Sequence, residues 1–187
     1  MIALVCCYGL YDEDVRSPIE MKGIKQYWQG VVQHLDVLKY NISAVVISGG
    51  YRQYYVSEAQ SNLGLYKKTC EDTDIDLSKI PVFLQTSSTN LLQSLGFGYL
   101  TILEIKKTED LLIFCDKVRE GRVQKVATKL FEGVVENIQV IGVNRADIHS
   151  HSTQEYQDNV ALPEDLAGEE INILHALINS CKDRVKG

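Results

Sequence analysis

Five short apolar runs, each bounded by turn residues and each separated from the next by a stretch of helical periodicity, constrain this chain more than any other feature. They are Ile2 to Tyr8, Ala44 to Ser48, Pro81 to Gln85, Leu111 to Cys115 and Ile138 to Val143. Each is nearly continuous in hydrophobicity rather than alternating, as strands covered on both faces must be. Between them, Ser17-Pro18-Ile19-Glu20 combines an N-cap serine, a proline at the first helical position and a capping-box glutamate. Ile24, Tyr27, Trp28, Val31, Val32, Leu35 and Leu38 then recur at helical spacing. Ser57 with Gln60 repeats the capping-box spacing ahead of Leu63 and Tyr66, and a third helix is expected to begin near Ser87 or Ser88. Val123, Val126, Ala127 and Leu130 mark a fourth helix, and Leu166, Ile171, Leu174 and Ile178, after Pro163, a fifth. Regular β-α alternation requires right-handed crossovers between parallel strands. The expected fold is therefore α/β, a Rossmann-like three-layer sandwich with a mainly parallel five-stranded sheet, and 187 residues suit one domain spanning 1–187.

Charge narrows the partners. Nineteen Lys and Arg against twenty-five Asp and Glu leave a net charge of -6, so no general field draws the chain to nucleic acid or to an acidic membrane. No stretch approaches the roughly 18 consecutive apolar residues of a membrane span. Met1 to Gly9 is apolar but lacks a basic n-region and reads as a first strand, which makes the cytoplasm the expected location. The five cysteines show no Cys-x-x-Cys spacing and read as reduced thiols, Cys6 and Cys7 facing opposite sides of their strand.

In an open parallel sheet, ligands bind beyond the carboxyl ends of the strands, so residues just after each run are the first candidates. After the first run come Gly9 and the acids Asp12, Glu13 and Asp14. After the second come Ser48, Gly49 and Gly50, then Ser57 and Glu58; after the third, Gln85 to Thr89; after the fourth, Asp116, Arg119 and Arg122. The glycine pair suits either close approach of backbone to an anionic ligand or a plain strand-to-loop turn. It is neither a Gly-Lys-Ser/Thr phosphate loop nor Gly-x-Gly-x-x-Gly. Glu58, in the first turn of its helix, suits a ligand hydroxyl, amine or cation, and is equally favoured there by the helix dipole alone. Arg119 and Arg122 can answer a phosphate or carboxylate, or can lie on a solvated helix face. Ser87, Ser88 and Thr89 read as capping donors, and no Gly-x-Ser-x-Gly elbow surrounds any of them. Asp147, His149 and His151 alternate as metal ligands can, or belong to a solvated loop. His34 and His175 read as structural.

Taken together and in this order, these clusters resemble the YdcF, SanA and ElyC family of bacterial Rossmann-like proteins across Ile2 to Val143. The most specific match is Ser48-Gly49-Gly50 followed by Ser57-Glu58-Ala59. Where that family carries a strand-ending Glu and then Thr-x-Glu-Asn, this chain has Gln85, Ser88 and Thr89-Asn90-Leu91-Leu92. Where it carries Thr-Ser and His-x-x-Arg-Ala, this chain has Cys115-Asp116 and Arg119-Glu120-Gly121-Arg122-Val123. The resemblance implies a Rossmann-like fold with a ligand site at those strand ends, and S-adenosylmethionine is associated with one soluble branch. Gln85 and Arg119 each replace a group that can titrate near neutrality by one that cannot, which favours binding over catalysis.

The leading expectation is a small-molecule-binding protein whose nucleotide-like or phosphorylated ligand, S-adenosylmethionine among the candidates, contacts Gly9, Ser48, Gly49, Gly50, Ser57, Glu58, Ser88, Arg119 and Arg122. Were it an enzyme, Glu58 would orient or act as base and Arg122 would stabilise negative charge. Two alternatives stand beside it: a non-enzymatic scaffold meeting a protein partner through Tyr51, Tyr54 and Tyr55, and a metal-dependent hydrolase built on Asp147, His149 and His151. Burial of the tyrosine loop over the strand ends would make it a lid instead.

Overall fold

The computed structural model describes residues 1–7, 17–53, 55–105, 110–145 and 164–186. Gly9, Asp12, Glu13, Asp14, Tyr54, Asp147, His149 and His151 lie outside them. The chain alternates strand and helix: β1 (Ile2–Cys6), α1 (Pro18–Leu38), β2 (Ala44–Ser48), a small hairpin of β3 (Arg52–Gln53) and β4 (Val56–Ser57), α2 (Glu58–Asp72), β5 (Val82–Gln85), α3 (Leu91–Ile105), β6 (Asp110–Asp116), a 3-10 turn (Lys117–Arg119), α4 (Glu120–Leu130), β7 (Asn137–Val143) and α5 (Glu164–Lys186). All five apolar runs are strands of one parallel sheet in the order β5-β2-β1-β6-β7.

Both capping boxes form, and they set where α1 and α2 begin. The Ser17 N–H donates to the Glu20 carboxylate at 3.0 Å while the Glu20 N–H donates back to the Ser17 hydroxyl at 3.4 Å. Ser57 and Gln60 exchange the same bonds at 2.9 and 3.2 Å. The periodic residues of α1, from Ile24 to Leu35, face one side of the sheet, where they meet Ala3, Val5, Val45, Ile47, Leu112 and Phe114. Trp28 locks the two helices on that side together: its indole N–H donates to Asn62 at 2.6 Å and its ring meets Tyr66 edge-on at 5.8 Å. The opposite face buries Leu4, Cys6, Val46 and Ile113 under α3, α4 and α5, with Tyr99 packed on Phe131. His175 belongs to this scaffold, its Nδ1 donating to the Leu130 carbonyl at 2.8 Å to hold α5 on the end of α4.

Three departures from the sequence-based expectation affect the strand ends. First, α3 starts at Leu91 rather than near Ser87 or Ser88. Asn90 is its cap, accepting from the Gln93 N–H at 2.8 Å, and the Gln93 side chain turns back to the Thr89 N–H and hydroxyl. Second, the segment between β2 and α2 is a hairpin rather than a plain loop. Third, β1 is assigned only as far as Cys6, although the Cys7 N–H still donates to the Ser48 carbonyl at 2.8 Å. No helix among the described residues is long and apolar enough to cross a membrane.

Candidate functional site

β1 is flanked by β2 and β6, and the chain runs outward from it in both directions, so the crevice beyond its carboxyl end is the switch point of the sheet. The side of this crevice nearest β5 is closed by a buried polar cluster. The Gln85 amide, oriented so that both ends are satisfied, accepts from the Ser87 and Ser88 N–H groups at 2.8 and 3.2 Å and donates to the Ser48 and Ser88 hydroxyls at 2.8 and 2.9 Å. Ser48 in turn donates to the Ser94 carbonyl at 2.9 Å, and the Ser94 hydroxyl donates to Ser88 at 3.0 Å. Gly50 packs its Cα directly on the Ser87–Ser88 backbone; a Cβ there would overlap the Ser88 nitrogen and oxygen. An amide can both donate and accept at this junction whereas a carboxylate can only accept, which gives Gln85 a structural purpose.

Gly49 is equally committed to the fold. Its N–H donates to the Gln85 carbonyl at 3.1 Å and its carbonyl accepts from the Ala59 N–H at 2.9 Å, which docks the start of α2 on the end of β2. A Cβ on Gly49 would come within 2.7 Å of the Cys7 Cβ and 3.0 Å of a Glu58 carboxylate oxygen. The missing side chain is therefore what lets the half-buried Glu58 lie over the end of β2 beside Cys7. Burial first, then Glu58 and Cys6, push the Cys7 thiol well up, so Cys7 is a neutral thiol rather than a nucleophile.

On the other side of β1, Asp116 ends β6 with no exposed surface. Its carboxylate accepts from the Arg119 N–H at 3.1 Å and stands 3.5 Å from Arg119 Nε. The 3-10 turn brings this about, bending the chain so that Arg119 sits back over the strand it has just left. The Arg119 side chain keeps 20% of its surface, and Arg122 is half-buried one turn further on in α4. Below them Tyr27 donates to the Cys6 carbonyl at 2.9 Å. Burial, then Cys6, Cys115, Cys7 and Asp116, push its hydroxyl well up, which keeps it a donor.

The sequence candidates thus divide. Ser48, Ser57 and Ser88 are buried and their hydroxyls are engaged within the protein, Ser57 in its helix cap. Glu58 reaches the crevice from the β2 side, while Arg119 and Arg122 follow β6 on the other. Two strand spacings, about 10 Å, separate the ends of β2 and β6, the strands that these groups of opposite charge follow in the chain. Sequence reasoning singled out Asp116 only as a strand-end acid and did not include Cys7, Tyr27 or Ser94. Tyr27 was legible only as a core position of α1, because helical phase reports burial and not the polar group at the ring's tip. Among the described residues, no group of three His, Cys, Asp or Glu could hold a metal ion. Tyr51 and Tyr55 of the hairpin are exposed, so the hairpin is not packed down as a lid. Comparison with protein-family models, with curated proteins and with solved structures finds no match to this chain.

Proposed function

We propose that this protein binds a small nucleotide-like or phosphorylated molecule across the carboxyl ends of β2, β1 and β6, with S-adenosylmethionine among the candidates. The observation that carries the reading is the pair of opposite charges at the switch point, Glu58 over Gly49 and Arg119 over Asp116. A ligand with an anionic group at one end and hydroxyls or an amine at the other meets complementary charge at both. The resemblance to the YdcF, SanA and ElyC proteins points to the same strand ends. Binding rather than catalysis fits a crevice whose nearest thiol is held neutral and where β5 ends in an amide, Gln85, rather than a carboxylate; were the bound molecule to react, Glu58 and Arg122 are the residues that would take part.

A thermal-shift screen with S-adenosylmethionine, nucleotides, sugar phosphates and divalent cations tests this. A ligand present at a hundred times its Kd stabilises the native state by about 2.7 kcal/mol. For a chain of this size that raises Tm by about 5–10 °C. The expected result is such a shift with one class of ligand, reduced by Glu58→Gln and by Arg119→Ala; a flat response across the whole panel rejects the reading.

A further inference from the structure

The hairpin between Gly50 and Glu58 breaks a local rule without any gain inside the protein. Arg52 pairs with Ser57 and Gln53 with Val56, and Tyr55 lies in the turn of this hairpin. Tyr55 has φ +73°, in the left-handed region where glycine or asparagine is at home and a bulky side chain is strained. Strain of this kind persists where surrounding packing or function requires it. Packing does not: the Tyr55 side chain is 96% exposed, and Tyr51 at the hairpin's base is 59% exposed. The hairpin's base is nonetheless fixed to the site, since the Glu58 N–H donates to the Tyr51 carbonyl at 2.9 Å and the Ala59 N–H to the Gly49 carbonyl.

We infer that this hairpin is the ring-recognition element of the strand-end site: its exposed tyrosines stack on the heteroaromatic ring of a nucleoside-containing ligand whose polar part lies between Glu58 and Arg119. The inference rests on the binding reading above and narrows it to ligands that carry a nucleobase. A tyrosine face offers a large, rigid stacking surface that loses little conformational entropy, and stacking tolerates any planar ring. Position selects this occupant over a protein, because Tyr51 directly follows Gly49-Gly50 and its carbonyl accepts from the Glu58 N–H, while Tyr55 stands three residues before Glu58, the group that meets the ligand's polar end.

Calorimetric titration of the full chain with paired probes tests it. AMP and S-adenosylmethionine carry the ring; ribose 5-phosphate and methionine are their ringless counterparts. The wild type binds at least one ring-bearing probe about five- to tenfold or more tighter than its counterpart. Tyr55→Gly removes most of that difference while leaving Tm unchanged or about 2 °C higher, because glycine relieves the positive φ. Tyr55→Asn, which also tolerates that φ, behaves like the glycine variant, and Tyr55→Phe keeps the preference. Equal binding of ring-bearing and ringless probes, unaltered by Tyr55→Gly, overturns the inference and leaves the small-molecule reading standing. No binding of any probe overturns both. A wild type that self-associates in size-exclusion chromatography, with Tyr55→Gly monomeric and unchanged in probe affinity, assigns the hairpin to a protein contact and overturns the inference too.

Discussion

The two sides of the strand-end crevice are built on different principles. Toward β5, Ser48, Gln85, Ser88 and Ser94 form a neutral cluster in which donors and acceptors answer one another, and Gly50 seals it by packing backbone on backbone. Beyond that cluster the groups are charged: Glu58 is half-buried above Gly49 at the end of β2, and toward β6 Asp116 is wholly buried while Arg119 leans over it and keeps a fifth of its surface. A buried neutral cluster with every member satisfied rigidifies a fold and offers little to a ligand. Partly exposed charges on a rigid frame are what a polar ligand can use. The motif that drew attention in the sequence, Ser48-Gly49-Gly50, therefore builds the wall of the crevice, and under the proposed function the charges beyond it supply the binding chemistry.

The largest effect expected from this contrast is on the neutral side. Gly50→Ala places a methyl group against backbone atoms of Ser88, which cannot swing away as a flexible side chain would. Either the loop before α3 shifts, breaking the Gln85 bonds to the Ser87 and Ser88 N–H groups, or the overlap stays. The expected loss is about 3 kcal/mol, the upper end of overpacking costs, and a fall in Tm of about 6–12 °C. Urea unfolding monitored by circular dichroism measures it. A loss under about 1 kcal/mol would show that this side has room to give and would erase the distinction between the two.

Arg119→Ala probes the charged side and should cost less. Asp116 would keep its buried carboxylate but lose the guanidinium beside it, while the Arg119 N–H bond to the carboxylate survives because it belongs to the backbone. The expected destabilisation at neutral pH is about 2 kcal/mol, below the range for breaking a fully buried pair because Arg119 reaches solvent. In an Asp116→Asn background the same substitution should cost about 1 kcal/mol less, a coupling that a double-mutant cycle reads directly. Additive effects would mean that Arg119 is not held by Asp116, and the positive pole of the site would lose its anchor.

How much of this was legible in the sequence follows from which forces act locally. The five strands and the starts of α1 and α2 were, because continuous apolar runs and reciprocal capping boxes carry their own structural instruction. The start of α3 was not: Ser87, Ser88 and Thr89 look like caps, but the N–H groups of the first two are claimed by Gln85, and the cap falls to Asn90. The function of Gly50 was invisible for the same reason, since its close neighbour is 38 residues away in sequence and only strand order brings the two together. The hairpin escaped notice because two-residue strands have no periodicity and because Tyr55 defies the turn chemistry that would have announced it.

The smallest expected effect asks whether every charge near β6 belongs to the ligand. Glu120, at the start of α4, accepts from the Gly142 N–H at 2.9 Å and pairs with Lys117, and the two side chains fill the space a Cβ on Gly142 would take. The Lys117 bond, then the Gly142 N–H, hold the Glu120 carboxyl below its ordinary value. A carboxylate with a lowered native pKa stabilises the fold above its unfolded pKa, and that contribution is lost as pH falls through the native value. Glu120→Gln can still accept from Gly142, so it removes only the charged part, about 0.5 kcal/mol at neutral pH for a group with a third of its surface in solvent. The stability gap between Glu120→Gln and wild type should be open at pH 7 and close below about pH 4. Ligand-induced stabilisation should be the same in both proteins. A variant equal in stability to wild type at pH 7 but blunted in its ligand response would move Glu120 from the framework to the site, and with it the boundary between the charges that build this side of the crevice and those that it presents.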